Sequence, residues 1–392
     1  MRILLIWISL AIIFPARGQR MCGTKENVYS NLTNQPQGNG RDTLPGEYIT
    51  IPVVIHILYN DVSQNLSDAA VKSQLAVLNN DFKQSNPDIT SIPLPFAALA
   101  GNTRINFCIA RVDPVGRPTT GIIHKHTSTN VWTADDQMKF SATGGDDAWD
   151  SKRYLNIWVC NLFGRNLGYA SLPGGDGNKD GVVIQFDVFG TLGSRAPFNL
   201  GRTATHELGH WLGLRHIWGD ALCGDDGIAD TPPQQTYNNG CPPFPHTSSC
   251  SVNSNGDMFM NFMDFTDDAC MHLFTRGQVS KMRSLFAAGG FRNSFLDSKV
   301  CDSIQAQGSL PADSTPVVSN ITLYPNPAVS QLTISSNTKD IIGKVFTIYD
   351  VLGKRYFSGV ITAQKNTVSI SGFPGGMYII KMGVNALLFM KQ

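Results

Sequence analysis

His206-Glu-Leu-Gly-His210-Trp-Leu-Gly213-Leu-Arg-His216 is the stretch from which the rest of this chain can be read. His206 and His210 stand four residues apart, so on a helix they project from one face and can hold one metal ion. Glu207 lies beside them and can reach a water at that ion without being a ligand. Gly213 tolerates a positive φ, which ends the helix and turns the chain sharply. The turn lets His216 supply a third nitrogen. Three protein ligands with an open fourth position describe a catalytic zinc centre, not a structural one. Zinc lowers the pKa of a water it binds to roughly 7, and Glu207, as general base, takes the proton when that water attacks a peptide carbonyl. A bare HExxH also occurs on ordinary amphipathic helices. The longer HExxHxxGxxH additionally fixes the glycine and the third histidine, and three of the eight histidines fall inside it.

The 392 residues are enough for two domains, and 42% hydrophobic with 16% charged residues predicts a packed globular protein. A formal net charge of +1 argues against nucleic acid as a partner. The chain opens with Met1-Arg2, an apolar run from Ile3 to Phe14, and Pro15-Ala16-Arg17-Gly18. This is the pattern of a signal peptide over residues 1–18, too short to span a bilayer. Its removal takes away Arg2 and Arg17 and moves the formal charge from +1 to −1. No later stretch reads as a transmembrane segment, so an exported, soluble mature protein is expected. Eight cysteines in an exported chain suggest disulfides. Cys223, Cys241, Cys250 and Cys270 cluster after the metal motif and allow three pairings, among which the sequence does not choose. Cys108 and Cys160 fall in expected core strands and Cys301 ends the catalytic segment; no pairing among these three is readable.

Thr50 to Leu58 is β-branched and apolar and predicts a buried strand, with His56 as a core or surface histidine. Ser67 to Phe82 begins with an N-cap serine and has apolar Ala70, Val71, Leu75 and Leu78, as an amphipathic helix requires. Further strands are expected at 104–112, 154–160 and 182–186, the last as the edge of the cleft, where an extended substrate would pair through main-chain hydrogen bonds. The metal-binding helix is expected over 199–212, and Thr275-x-x-Gln278 opens a helix with a capping box. The fold class is α+β, a mixed sheet with the metal helix and a loop-rich second half. Asp176-Gly-Asn178-Lys-Asp180 resembles half of an EF-hand loop, but Asp187 stands where glutamate belongs, and a simple turn is the better reading.

The long motif resembles the metzincin metalloproteases, which carry a methionine turn beneath the metal. Asn261-Phe-Met263-Asp264-Phe265 looks like that turn, with Met263 as its methionine. His216-Ile-Trp-Gly-Asp, Asp230-Thr231-Pro232 and Phe274-Thr-Arg-Gly-Gln278 narrow the resemblance to the pappalysin family, in its microbial ulilysin and cytophagalysin-like branch. The resemblance spans roughly residues 50–290. It implies zinc on His206, His210 and His216 with Glu207 as base. It also implies a preference for Arg or Lys just after the scissile bond, set by Asp268, for which charge pairing in a partly desolvated pocket is a sound basis. It favours the pairings Cys223–Cys250 and Cys241–Cys270. Arg20-Met-Cys22-Gly23-Thr24 resembles the stretch by which such zymogens are kept latent, with the Cys22 thiolate on the zinc. Calcium is implied near Asp225-Asp226-Gly-Ile-Ala-Asp230-Thr231, through Asp226, Asp230 and Thr231, whose hard oxygens suit the ion. Phe265 departs from the tyrosine that relatives often carry two residues after the methionine, so hydroxyl help from that position is absent.

Beyond Cys301 the composition changes. Residues 303–317 are polar and read as a linker. Seven short strands between turn signals follow, a small β-sandwich. Leu323-Tyr-Pro-Asn-Pro327, Ile348-Tyr-Asp-Val-Leu-Gly353-Lys354 and Gly375-Gly-Met-Tyr-Ile-Ile-Lys381 resemble the C-terminal sorting domain of the type IX secretion system. That resemblance implies the secretion machinery as a partner, a Gram-negative host, and release or surface attachment after outer-membrane passage. The expected division is signal peptide 1–18, propeptide 19–41 with the activating cut near Gly38–Asp42, catalytic domain 42–302, linker 303–317 and sorting domain 318–392. The expected function is a secreted, latent zinc metalloendopeptidase acting on protein and peptide substrates. Two rivals stand beside it: a surface adhesion protein with a vestigial protease domain, and a bare-HExxH enzyme whose third ligand is a later glutamate.

Overall fold

The computed structural model describes residues 19–24, 47–250, 255–301, 321–336, 341–350, 354–382 and 385–392. The expected signal peptide, activating cut and linker lie outside them. The described residues fall into two compact units, divided between Ala306 and Gln307.

The first unit is built on β2 (Ile49–Tyr59), buried along nearly its whole length as its apolar sequence requires. Its first half pairs in parallel with β3 (Ile105–Ile109) and its second half with β4 (Ile122–His126). Its other edge carries β5 (Leu155–Cys160), then β7 (Gly181–Gln185), both parallel to it. The sheet closes with β6 (Asn166–Ala170), antiparallel to β7. The expectation that residues 182–186 form the cleft edge is therefore corrected. That strand is buried throughout, between β5 and β6, and the edge is β6. Its Asn-Leu-Gly-Tyr-Ala sequence contains a glycine and no β-branched residue, so it carries little strand signal. β3 starts after Arg104 because Arg104 sits at φ +55, its N–H held by the Asn102 side chain at 2.8 Å.

Helix α1 (Asp68–Phe82) is capped by Ser67, as the sequence predicts, and backs the sheet. It also braces the metal-binding helix α3 (Arg202–Trp211): Gln74 donates to the Gly201 carbonyl at 2.9 Å, and Thr205 donates to Asp81 at 2.6 Å. Gly201, at φ +77, makes α3 start later than residue 199. The helix ends as expected, with Gly213 at φ +84 and its N–H bonded to the His210 carbonyl. After the short α2 (Leu94–Ala97), the last α-helix among the described residues of this unit is α4 (Arg276–Ser284), which shows the predicted reciprocal Thr275–Gln278 capping box. Leu208, Trp211, Leu212 and Met263 join the sheet's inner face in one core, so the metal helix is packed on the sheet along its apolar side.

Disulfides join Cys223 to Cys250, Cys241 to Cys270 and Cys108 to Cys301, and Cys160 is a buried free thiol. The third bond ties β3 to the end of this unit. His56 is a buried core residue whose Nδ1 bonds Asp146 at 2.7 Å. Asp176 caps a short turn, and Asp180 accepts from Arg292 and from Trp211, so the half EF-hand is a turn.

The second unit has two sheets sharing one core. One runs β11 (Arg355–Val360), β10 (Val345–Asp350), β13 (Gly376–Met382), β14 (Asn385–Lys391), and the other β12 (Lys365–Ser369), β9 (Gln331–Ser336), β8 (Ile321–Tyr324). Leu332, Ile334, Phe346, Ile348, Val368 and Ile380 fill the space between them, which is the expected sandwich.

Candidate active site

The three histidines converge. His210 Nε2 lies 3.2 Å from His206 Nε2 and 3.1 Å from His216 Nε2. Two nitrogens about 2.0–2.1 Å from a tetrahedral zinc stand roughly 3.3 Å apart, so this spacing fits the ion. Each ring is aimed by its other nitrogen. His206 Nδ1 bonds the Phe262 carbonyl at 2.7 Å, His210 Nδ1 the Leu214 carbonyl at 2.9 Å, and His216 Nδ1 the Asp220 carboxylate at 2.7 Å. Such partners fix the tautomer and leave the Nε2 lone pair for a metal. Burial, then the neighbouring His210 and His216, push the His206 pKa well below the ordinary histidine value, which keeps the ring in the neutral form a metal requires.

Met263 lies beneath the helix, fully buried, with its sulfur against Gly209. A Cβ at Gly209 would meet that sulfur at 2.3 Å, so the helix needs glycine there. Phe265 packs against His206 and His216 at 5.6 and 4.9 Å between ring centroids.

The N-terminal segment around Cys22 occupies the site. Strand β1 (Met21–Cys22) adds to the β6 edge in parallel, with Cys22 opposite Gly168. The Cys22 sulfur and the three histidines present ligand atoms all within 4.8 Å of one another, a complete set for one metal ion. The same sulfur lies 3.4 Å from Glu207 Oε2, and the Thr24 hydroxyl donates to that oxygen at 3.2 Å. Burial pushes the Glu207 carboxyl up to about 8. Burial, and then the charge of Glu207, push the Cys22 thiol well above its ordinary value. A cation held by the three histidines would favour the thiolate. Gly168 is required as well: a Cβ there would meet Glu207 Cγ at 2.9 Å.

Arg20, which motif reading left without a role, is the second anchor. It is 2% exposed. Its guanidinium pairs with the buried Asp268 and donates to the Thr203 hydroxyl and the Thr266 carbonyl, both at 3.2 Å. It also lies 5.0 Å from the centroid of the Phe198 ring. The other oxygen of Asp268 accepts the N–H groups of Leu200 and Arg202, at 2.8 and 3.2 Å, at the start of α3. Asp268 is thus held from behind by backbone donors on one oxygen and presents the other to the Arg20 guanidinium. The signal for Arg20 was its place two residues before Cys22, which on a strand puts both side chains on one face.

The loop expected to hold calcium is tied by its own hydrogen bonds. Asp226 accepts from Thr231 at 2.6 Å and from the Ile228 N–H at 3.0 Å, and burial pushes its carboxyl up to about 6. Asp230 accepts from Thr275 at 2.6 Å and from the Gly277 N–H at 2.8 Å, fastening this loop to the start of α4.

Residues 140–287 match the family described as Pregnancy-associated plasma protein-A, and residues 322–391 match the Secretion system C-terminal sorting domain. An extracellular metalloprotease 1 of Coccidioides posadasii is 40% identical over 296 residues, covering 71% of this chain and 93% of that protein. An extracellular metalloprotease of Verticillium alfalfae is 30% identical, covering 71% and 95%. Among solved structures, mature mirolysin of Tannerella forsythia with a cleaved peptide is 52% identical, with a TM-score of 0.63, covering 64% of this chain and 97% of that one. A promirolysin mutant from the same organism is 48% identical, with a TM-score of 0.66, covering 71% and 97%. No helix among the described residues is long and apolar enough to cross a membrane. The chain belongs to the pappalysin family of metalloproteases and carries a type IX secretion sorting domain at its C-terminal end.

Proposed function

We propose that this protein is a latent zinc endopeptidase that cuts peptide bonds before arginine or lysine. The observation that carries the proposal is the seating of the prosegment, with Cys22 on the histidine cluster and Arg20 on Asp268. His206, His210 and His216 would hold zinc, which supplies Lewis-acid polarisation of the substrate carbonyl and acidifies water. Glu207, pressed against the edge strand, accepts the water's proton and passes it to the leaving amine. Strand β6, freed of β1, holds the substrate backbone. Asp268, with Thr203, Thr266 and Phe198, reads the basic side chain; these groups already satisfy a guanidinium in the precursor. The adhesion reading is not favoured, because the relatives are metalloproteases and Glu207 stands intact beside the three converging histidines.

In latent form Cys22 fills the ligand set and Glu207 is engaged by Cys22 and Thr24, so neither metal nor base is available to substrate. A Cys22→Ala precursor is expected to hydrolyse a quenched arginine-containing peptide at once, while the parent precursor shows a lag or no activity until cut. Equal latency in both would remove Cys22 from the mechanism. The sorting domain is proposed to hand the precursor to type IX secretion machinery in a Gram-negative envelope, with release or surface attachment afterwards. Calcium is proposed for the loop of Asp226, Asp230 and Thr231, on the strength of the family resemblance and the short spacing of hard oxygens in its sequence. The expected result is a melting temperature that rises in millimolar calcium, and rises less in Asp226→Asn. An unchanged melting temperature would discard that ion.

A further inference from the structure

With the prosegment seated, a cavity of about 410 Å³ remains beside the histidine cluster, lined by Cys22, Thr24, His216, Trp218, Tyr237 and Phe265 among others. Three aromatic rings form its wall. Trp218 lies flat on His216, 4.5 Å between centroids and 4° between planes, and Phe265 meets His216 edge-on at 4.9 Å. Tyr237 packs on both, 5.6 Å from Trp218 and 5.4 Å from Phe265. Of these rings, only Tyr237 carries a hydroxyl. Among the described residues, none hydrogen-bonds that hydroxyl.

The backbone under Tyr237 is held rigidly. Asn238 gives its N–H and its side-chain amide to the two oxygens of Asp264, both at 2.8 Å, and Gln234 donates to the same carboxylate at 2.9 Å. Asp264 is buried and follows Met263 directly, so the turn beneath the histidines also fixes the segment carrying Tyr237. The Cys223–Cys250 and Cys241–Cys270 bonds brace that segment on either side.

Peptide hydrolysis builds negative charge on the carbonyl oxygen, and a preorganised donor beside that oxygen lowers the barrier. Phe265 has nothing to donate. Glu207 must receive a proton, and the Thr24 hydroxyl belongs to the prosegment and leaves with it. We propose that Tyr237 is a catalytic residue of this protease: once the prosegment has gone, its phenol donates a hydrogen bond to the scissile carbonyl oxygen as charge develops. The proton stays on Tyr237 and no bond to it forms. The water's proton still goes to Glu207. This inference rests on the peptidase reading above.

The test compares mature parent and Tyr237→Phe proteins, both loaded with zinc. Phenylalanine keeps the ring wall and removes only the donor. The expected result is a kcat lower by about 10²-fold, the order found for removing one oxyanion donor, with KM little changed. A phosphinic peptide carrying arginine after the phosphinate, measured by calorimetry, should bind more weakly by a similar factor, while the cleaved product peptide binds as before. Zinc content and melting temperature should match the parent. Unchanged kcat and unchanged phosphinic-peptide affinity would overturn the proposal, leaving Tyr237 as a wall residue. A rise in KM alone would overturn it too. An inactive parent would instead contradict the peptidase reading, so the two failures are distinguishable.

Discussion

Glu207→Ala is expected to lower kcat on every peptide substrate by about 10²–10⁴-fold, the range for loss of a positioned general base. Glu207 is not among the ligand-bearing residues of the cluster, which is formed by Cys22, His206, His210 and His216. Zinc content by mass spectrometry should therefore stay at one ion per chain in the variant. The substitution also removes the acceptor that the Thr24 hydroxyl uses, so the prosegment should be held less firmly in the precursor. Loss of activity together with loss of zinc would contradict this division of labour. Full activity in the variant would remove Glu207 from the chemistry.

The second large effect is expected at Asp268. Asp268→Asn preserves an oxygen for the Leu200 and Arg202 N–H groups but removes the charge that meets Arg20. Truncating one partner of a buried, hydrogen-bonded charge pair costs about 2–5 kcal/mol. On that scale, kcat/KM for bonds preceding arginine should drop by roughly 30- to 5,000-fold, while bonds preceding apolar residues change little. The same substitution should weaken latency, because Arg20 loses its buried partner. The measurement is kcat/KM for a matched pair of peptides differing only at the residue after the cut, in parent and variant. An unchanged ratio would place the specificity elsewhere.

The metal centre was legible because its parts are close in sequence and each has a spacing rule: four residues for one helix face, and a glycine for the turn. Met263 and Asp268 were singled out from motif resemblance; the structure sets Met263 under Gly209 and Asp268 at the start of α3. What could not be read was pairing between distant segments. The edge strand at Asn166–Ala170 is short and weak in β-propensity, and its role comes from its antiparallel place beside β7. Arg20 meets Asp268 across 248 residues, and Tyr237 packs on Trp218 and Phe265 while its neighbour Asn238 is clamped to Asp264. No local pattern encodes such contacts. Cys108 and Cys301, 193 residues apart, show the same limit. The β-sandwich unit was nearly complete in the sequence, because alternating strands between Gly, Pro and Asn turns are a local signal.

The most direct test of the account is to map cut sites in a denatured proteome. Protein beginning near Asp42 would be compared with the same protein carrying Glu207→Ala. The account predicts new N-termini beginning with arginine or lysine, absent in the control. Zinc-loaded, folded protein that produces no new N-termini would contradict it.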